Sequence, residues 1–215
     1  GGLVAAGTPS GRISVSEPQP QLRNSLQENF GINVYADNIS AAAGAQVIVL
    51  AVKPQVLQEV VVPLGRVVAE HQPLLVSVAA GVTSTSIERW VGCQPALVRV
   101  MPNTPALVGA GISALYANTN VAEHQRKLAQ TIMSAVGKTV WIEDENLMDT
   151  VTAVSGSGPA YFFYVMQAIK DAAVIEGLDT RTARLLALET ALGAARLAIE
   201  SAEDPGILQK RVTSP

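Results

Sequence analysis

Ser155-Gly156-Ser157-Gly158-Pro159-Ala160-Tyr161 divides the chain into two halves with different hydrophobic periods. Two glycines and a proline lie close together there, which permits near backbone approach, and the fixed φ of Pro159 suits a first helical turn. The stretch reads as a helix break at a domain junction. Upstream of it strands, turns and helices alternate, whereas downstream the pattern is helical throughout.

Working back from the junction, Val47-Ile48-Val49-Leu50-Ala51-Val52 is a continuous aliphatic run of the kind that forms a strand buried on both faces. Lys53-Pro54 stops it, and a helix is expected over about 55–69. A strand Leu74–Val78 runs into Ala79-Ala80-Gly81, a helix covers about Ser84 to Trp90, and a strand Ala96–Val100 meets the turn Met101-Pro102-Asn103-Thr104-Pro105. This βαβα order implies a parallel sheet with right-handed crossovers, which binds ligands beyond the carboxyl ends of its strands. Ala51–Pro54, Val78–Gly81 and Met101–Pro105 all fall at such ends and should face one crevice. Each alone is also ordinary turn chemistry; their coincidence at one edge favours a site. Small residues let a flat ring lie against backbone, Lys53 can meet phosphate or carboxylate, and Asn103 offers both a donor and an acceptor.

The first residues, Gly1 to Gly7, read as the last turns of a helix with Gly7 at its C-cap. Arg12–Ser16 is a strand; Leu22, Leu26 and Phe30 mark an amphipathic helix closed by Gly31; Asn38 is expected to N-cap a short helix through Gly44. Beyond Tyr116 a helix over 121–136 and a last strand Thr139–Ile142 are expected. Glu143-Asp144-Glu145 reads as a solvated acidic turn, not a metal site, because three consecutive acids cannot all face one ion on a helix. Leu147–Val154 leads into the break, Ala160–Glu176 is one long helix, and Asp179 or Thr180 caps another to about Glu200. Ala183, Ala187, Ala191 and Ala194 place small residues where helices can approach closely, so this apolar bundle is expected to pair with a second chain.

Composition narrows the classes. Hydrophobic residues make up 48% and charged ones 15%, ample for a core, while aromatics are only 4%. A formal net charge of -3 gives no basic footprint, so nucleic acid is not an expected partner. Cys93 is the sole cysteine, and with His71 and His124 it forms no ligand-like cluster, so no metal is expected. No apolar run approaches a membrane span and no signal peptide opens the sequence, which makes a soluble, cytoplasmic protein the expectation.

Four motifs then carry a resemblance. Ala51-Val52-Lys53-Pro54-Gln55, Ser77-Val78-Ala79-Ala80-Gly81-Val82, Arg99-Val100-Met101-Pro102-Asn103-Thr104-Pro105-Ala106 and the junction stretch resemble, in order and spacing, the pyrroline-5-carboxylate reductases, along the whole of 1–215. The resemblance implies a Rossmann-like α/β domain with a mostly parallel sheet over 1–145, followed by an all-α dimerisation and substrate domain over 146–215. It implies reduction of 1-pyrroline-5-carboxylate to proline, the last step of proline synthesis. Two departures accompany it. The family opens with a strand and a G-x-G-x-x-[GA] loop for the dinucleotide pyrophosphate, and this sequence begins after both; it also stops where the family continues with Gly-Gly-Thr and a final helical segment. Residues 1–215 alone are therefore expected to be inactive, with the sheet short of a central strand.

By the same resemblance Ser16, Asn38, Ala51, Val52, Lys53, Pro54, Ala79 and Ala80 contact the cofactor. Asn103 and Thr104 lie near the nicotinamide, and Val212, Thr213 and Ser214 hold the substrate carboxylate from a partner chain, with Ser214 the foremost contact. Ser16 is placed to meet a 2′-phosphate, whereas Glu17 beside it suits the ribose hydroxyls of NAD; NADPH is favoured and NADH stays open. Ketone reduction would call for an acid, and the related β-hydroxyacid dehydrogenases place a lysine where this chain has Ala160. A cyclic imine needs no such acid, so positioning would suffice. A related imine or hydroxyacid reductase, and a silent nucleotide-binding protein, are the rival readings.

Overall fold

The computed structural model describes residues 1–213. In chain order α1 (Gly2–Ala5) and a 3-10 turn lead to β1 (Ser14–Ser16), α2 (Pro20–Phe30), β2 (Asn33–Tyr35) and α3 (Asn38–Ala42). Next come β3 (Val47–Leu50), α4 (Pro54–Val61), α5 (Gly65–His71), β4 (Leu74–Ser77), α6 (Ser84–Val91) and β5 (Leu97–Met101). Then follow β6 (Gly111–Ala117), α7 (Glu123–Ser134), β7 (Gly137–Trp141), α8 (Met148–Val151), α9 (Gly158–Ile175), α10 (Thr180–Glu200) and α11 (Pro205–Val212).

The main sheet has the order β3-β4-β5-β6-β7. Its β3, β4 and β5 are parallel, each return passing through helices, as the βαβα pattern requires. β6 runs antiparallel to β5, and β7 parallel to β6. The strand β6 was not foreseen, although Gly111 to Ala117 is flanked by turns. Its direction follows from its connection: only a 3-10 turn over Thr104–Val108 joins it to β5, too short for a crossover helix. β2, also unforeseen, pairs in parallel with β1 in a sheet of their own. The layer is thus two sheets, and on β3 Val49 remains 42% exposed.

The strand alternation feeds two cores. Leu75 and Leu97 join Leu57, Val61, Val68 and Ile87 from α4, α5 and α6 on one side. Leu74, Val76, Val98 and Val100 join Leu115 and the α7 residues Ala129 and Met133 on the other. A period of two sends neighbours to opposite faces, which is why β4 is buried at all four positions. The single helix expected over 55–69 is two, because Pro63 has no N–H and the chain passes through a 3-10 turn at Val62–Leu64. Asp37, not Asn38, caps α3: its Oδ1 accepts the Ser40 N–H at 2.8 Å. That bond, then the one from the Ser40 hydroxyl, holds the Asp37 carboxyl below the usual range.

The junction is a wide turn in place of a break. Between α8 and α9 the chain forms a π-helical turn over Thr152–Gly156, closed by the Ser157 N–H on the Thr152 carbonyl at 2.8 Å. Gly156 leaves the backbone open to the Met101 side chain, whose methyl would lie 2.4 Å from an added Cβ.

The chain forms two compact units, Gly1–Ser157 and Gly158–Pro215. By packing the division falls after residue 157, because 145–156 packs on the first unit through Glu145 and Gly156. In the second unit α9 and α10 pack together, and Asp179 caps α10 by accepting from the Arg181 and Thr182 N–H groups at 3.0 Å. The short α11, opened by Pro205 behind its cap Asp204, was not foreseen. Among the described residues no helix is long and apolar enough to cross a membrane.

Candidate functional site

Because β3, β4 and β5 are adjacent and parallel, the segments leaving their carboxyl ends emerge side by side. The first is Ala51–Pro54. Lys53 is the extended N-cap of α4 and Pro54 its first residue, so the chain turns sharply and leaves Lys53 exposed. The second is Val78–Gly81. The Ser77 hydroxyl accepts the Ala79 N–H at 3.4 Å, Ala79 is 5% exposed, and Ala80 faces outward. Gly81 takes φ +72°, where a side chain would be strained, and no atom lies within 4 Å of its Cβ position.

The third segment is built around Asn103. Its Oδ1 accepts the Ile112 N–H at 3.0 Å, tying the end of β5 to the start of β6. The backbone thus takes one lone pair of the oxygen expected to serve a ligand and orients the amide NH2 as a donor. Thr104 is exposed beside it at the start of the 3-10 turn.

Ser16 ends β1, and its ladder partner Tyr35 ends β2 three residues before Asn38, so Ser16 and Asn38 share one edge of the small sheet. α3 packs on both of those strands and on the 62–64 turn. Glu17 is partly engaged: its Oε1 accepts the Gln19 N–H at 2.9 Å. Arg23, one turn into α2, donates through Nη1 to the carbonyls of Glu17 and Pro18 at 2.7 and 2.8 Å. A guanidinium thus lies over the loop that leaves Ser16. Sequence reading missed Arg23, since only the fold brings it back over that turn.

Of the acidic stretch at 143–145, only part is solvated. Glu143 is largely exposed and meets Arg126 at 3.3 Å, but Glu145 turns inward and keeps only 20% of its side chain exposed. Its carboxylate accepts the Ser84 N–H and hydroxyl at 2.7 and 2.6 Å, together with Arg99 Nη1 at 2.5 Å. Burial pushes its pKa up, but the Ser84 bonds and the Arg99 bond and charge outweigh burial and hold it below the usual glutamate range. The same carboxylate, after burial itself, helps push the Tyr116 phenol upward. A signal for this pair was present, for Arg99 stands alone among Leu97, Val98 and Val100, and a buried cation needs a partner.

Val212 and Thr213 belong to the second unit. Val212 is 80% exposed at the end of α11. The Thr213 N–H and hydroxyl both donate back into α11, at 3.2 Å to the Gln209 carbonyl, so neither is a free donor. Ser214 lies outside the described residues.

The first unit offers Lys53 after β3, Ser16 with Arg23 at the end of β1, and small residues with open space beside Gly81, which are group types that a dinucleotide phosphate can use. The comparisons with known proteins agree with that chemistry. A family model described as pyrroline-5-carboxylate reductase dimerisation matches residues 145–215, and one described as NADP oxidoreductase, coenzyme F420-dependent, matches residues 1–81. The pyrroline-5-carboxylate reductase of Pseudomonas aeruginosa is 47% identical over 215 residues, which are 100% of this chain and 78% of that protein. The solved reductase of Coxiella burnetii superposes with a TM-score of 0.93 at 42% identity, covering 100% of this chain and 79% of that one. A Plasmodium falciparum pyrroline carboxylate reductase, solved with NADP bound, superposes with a TM-score of 0.88 at 29% identity, covering 100% and 78%. With nearly half its residues shared along its whole length, and with a nucleotide-binding sheet followed by a dimerisation region, this chain belongs to the pyrroline-5-carboxylate reductase family.

Proposed function

We propose that the carboxyl edge of β3, β4 and β5 is where this protein carries out its family's reaction, the reduction of 1-pyrroline-5-carboxylate to proline. The observation that carries the assignment is the convergence of Ala51–Pro54, Ala79–Ala80 and Asn103–Thr104 on adjacent parallel strands. When bound, NADPH supplies the hydride that the imine carbon receives, and the nitrogen gains a proton. Ala79 and Ala80 are small enough for backbone to approach a flat ring, while Lys53 meets negative charge at the crevice. The Asn103 amide, with its oxygen fixed by Ile112, donates its NH2 in a defined direction toward the ring or the substrate carboxylate. Ala160, where the related hydroxyacid enzymes carry a lysine, fits a reaction that needs no acid aimed at an alkoxide.

Cofactor choice rests on the end of β1. Ser16 offers a hydroxyl, Glu17 is engaged with Gln19, and the Arg23 cation sits over the same loop, which favours the additional phosphate of NADPH over NADH. Ser16→Asp should place like charges together and weaken NADPH binding about 10-fold or more, with NADH little affected. Equal loss for both cofactors, read by fluorescence titration, would make Ser16 structural only. The protein acts as a homodimer in the cytoplasm, with the Val212–Ser214 segment of one chain serving the site of the other. The dimerisation family match and the exposed apolar side chains of α9 and α10 support the dimer.

The decisive assay follows NADPH oxidation by the native protein when pyrroline-5-carboxylate is added. Turnover is expected. Cofactor binding without turnover would leave a nucleotide-binding protein, and turnover of hydroxy acids instead would make it a hydroxyacid enzyme.

A further inference from the structure

Three segments distant in sequence meet at one carboxylate. Glu145 is 61 residues from Ser84 and 46 from Arg99. Ser84 opens α6, three residues beyond Gly81, while Arg99 stands in β5, four residues before Asn103. Ser84 and Arg99 are each only 5% exposed. Arg99 Nε has no hydrogen-bond partner among the described residues, so the buried guanidinium is held through Glu145 alone.

A buried ion pair is a poor way to gain stability, because desolvating two charges offsets most of their attraction; its better-attested use is to specify one geometry among several. What is specified here follows from strand alternation. Leu97, Arg99 and Met101 share one face of β5. The chain that leaves Glu145 passes through α8 and the π turn, and at Gly156 it meets Met101 on that same face. The 145–156 segment is therefore fastened to β5 at both of its ends, next to the loop that carries Asn103, and is fastened at Glu145 to the loop leaving β4 as well. Single π turns inside helical segments are frequent at functional sites.

We propose that Glu145 is a positioning residue for the reduction: by joining Ser84 and Arg99 it fixes the spacing between the Ala79–Gly81 loop and the Asn103 loop. It touches neither cofactor nor substrate, and it acts through the two loops it joins. The inference rests on the assignment of those loops to the site, and its test has one arm that does not depend on turnover.

That arm is the Ile112 amide, whose bond to Asn103 Oδ1 reports how the Asn103 loop is held. In Glu145→Gln, which keeps the side-chain shape and removes the charge, amide exchange should quicken at Ile112 relative to the β4–β5 ladder. A merely structural role would speed both alike through global unfolding. In the same variant kcat should fall about 10- to 100-fold with NADPH affinity little changed, because loss of alignment reaches the reacting step first. The isotope effect from deuterated reduced cofactor should rise as hydride transfer becomes limiting. If Glu145→Gln does not fold, Ser84→Ala removes only the hydroxyl bond and should show the same pattern at smaller amplitude. Unchanged Ile112 exchange relative to the ladder overturns the inference whatever the activity, and so does local loosening with kcat intact. A wild-type protein that fails to reduce pyrroline-5-carboxylate defeats the functional assignment instead, and Ile112 exchange still judges the brace.

Discussion

The two units treat their apolar residues in opposite ways. In Gly1–Ser157 the central strands β4 and β5 are closed on both faces within the chain, with Leu57, Ile87, Leu97 and Leu115 at 0% exposure. In the described part of Gly158–Pro215 only Gly158, Ala183 and Ala187 are buried. Tyr161, Phe162, Phe163 and Tyr164, at 57%, 66%, 61% and 77%, follow one another along α9. Four consecutive positions spread over about 300° of the helix circumference, so the first turns of α9 are apolar nearly all round, the pattern of a helix enclosed by others. Hydrophobicity alone does not make a core. The first unit has strands whose two faces match helices of the same chain, while the second has more apolar perimeter than two packed helices can cover. The match to a dimerisation family says what the remainder is for.

Substitutions can separate the two cases. The largest effect is expected from Phe162→Asp, since its ring is exposed in the single chain and a charge there would be desolvated only on assembly. Association should weaken by about 4 kcal/mol or more, seen as a shift to monomer in sedimentation. A dimer of unchanged strength would mean that α9 is not the covered surface. Leu97→Ala tests the other side. A fully buried leucine replaced by alanine typically costs about 2–5 kcal/mol, and denaturant unfolding of the first unit should show this loss at any protein concentration. If the loss vanished at high concentration, the first unit too would depend on assembly.

The smallest effect concerns acid. Glu145 has its pKa lowered on folding, so its contribution to stability is full above the ordinary glutamate range and is lost as pH falls through the folded value. Glu145→Gln should flatten that part of the acid limb of a pH–stability curve for the first unit, leaving the dimer equilibrium alone. An acid limb identical in the variant would show that the pair contributes no linkage.

Local and periodic features were legible without the fold. The run 47–50 is a strand because it is β-branched and aliphatic; α4 begins at Pro54 because a proline suits a first turn; α10 begins behind Asp179 because its carboxylate accepts two free N–H groups. The motifs at 51–54, 78–81 and 101–105 were legible as one edge because parallel strands must place their ends together. The remaining features depend on contacts between distant segments. β2 has only three residues, and β6 takes its antiparallel direction from a short connection and from its pairing partners. The junction glycines are compatible with a break or a π turn, and packing of Met101 on Gly156 accompanies the latter. Glu145 looks like its neighbours Glu143 and Asp144 until the fold carries Arg99 and Ser84 to it across 46 and 61 residues. Periodicity and capping act over a few residues and can be read from the chain, whereas a buried charge finds its partner only when the sheet has been assembled around it.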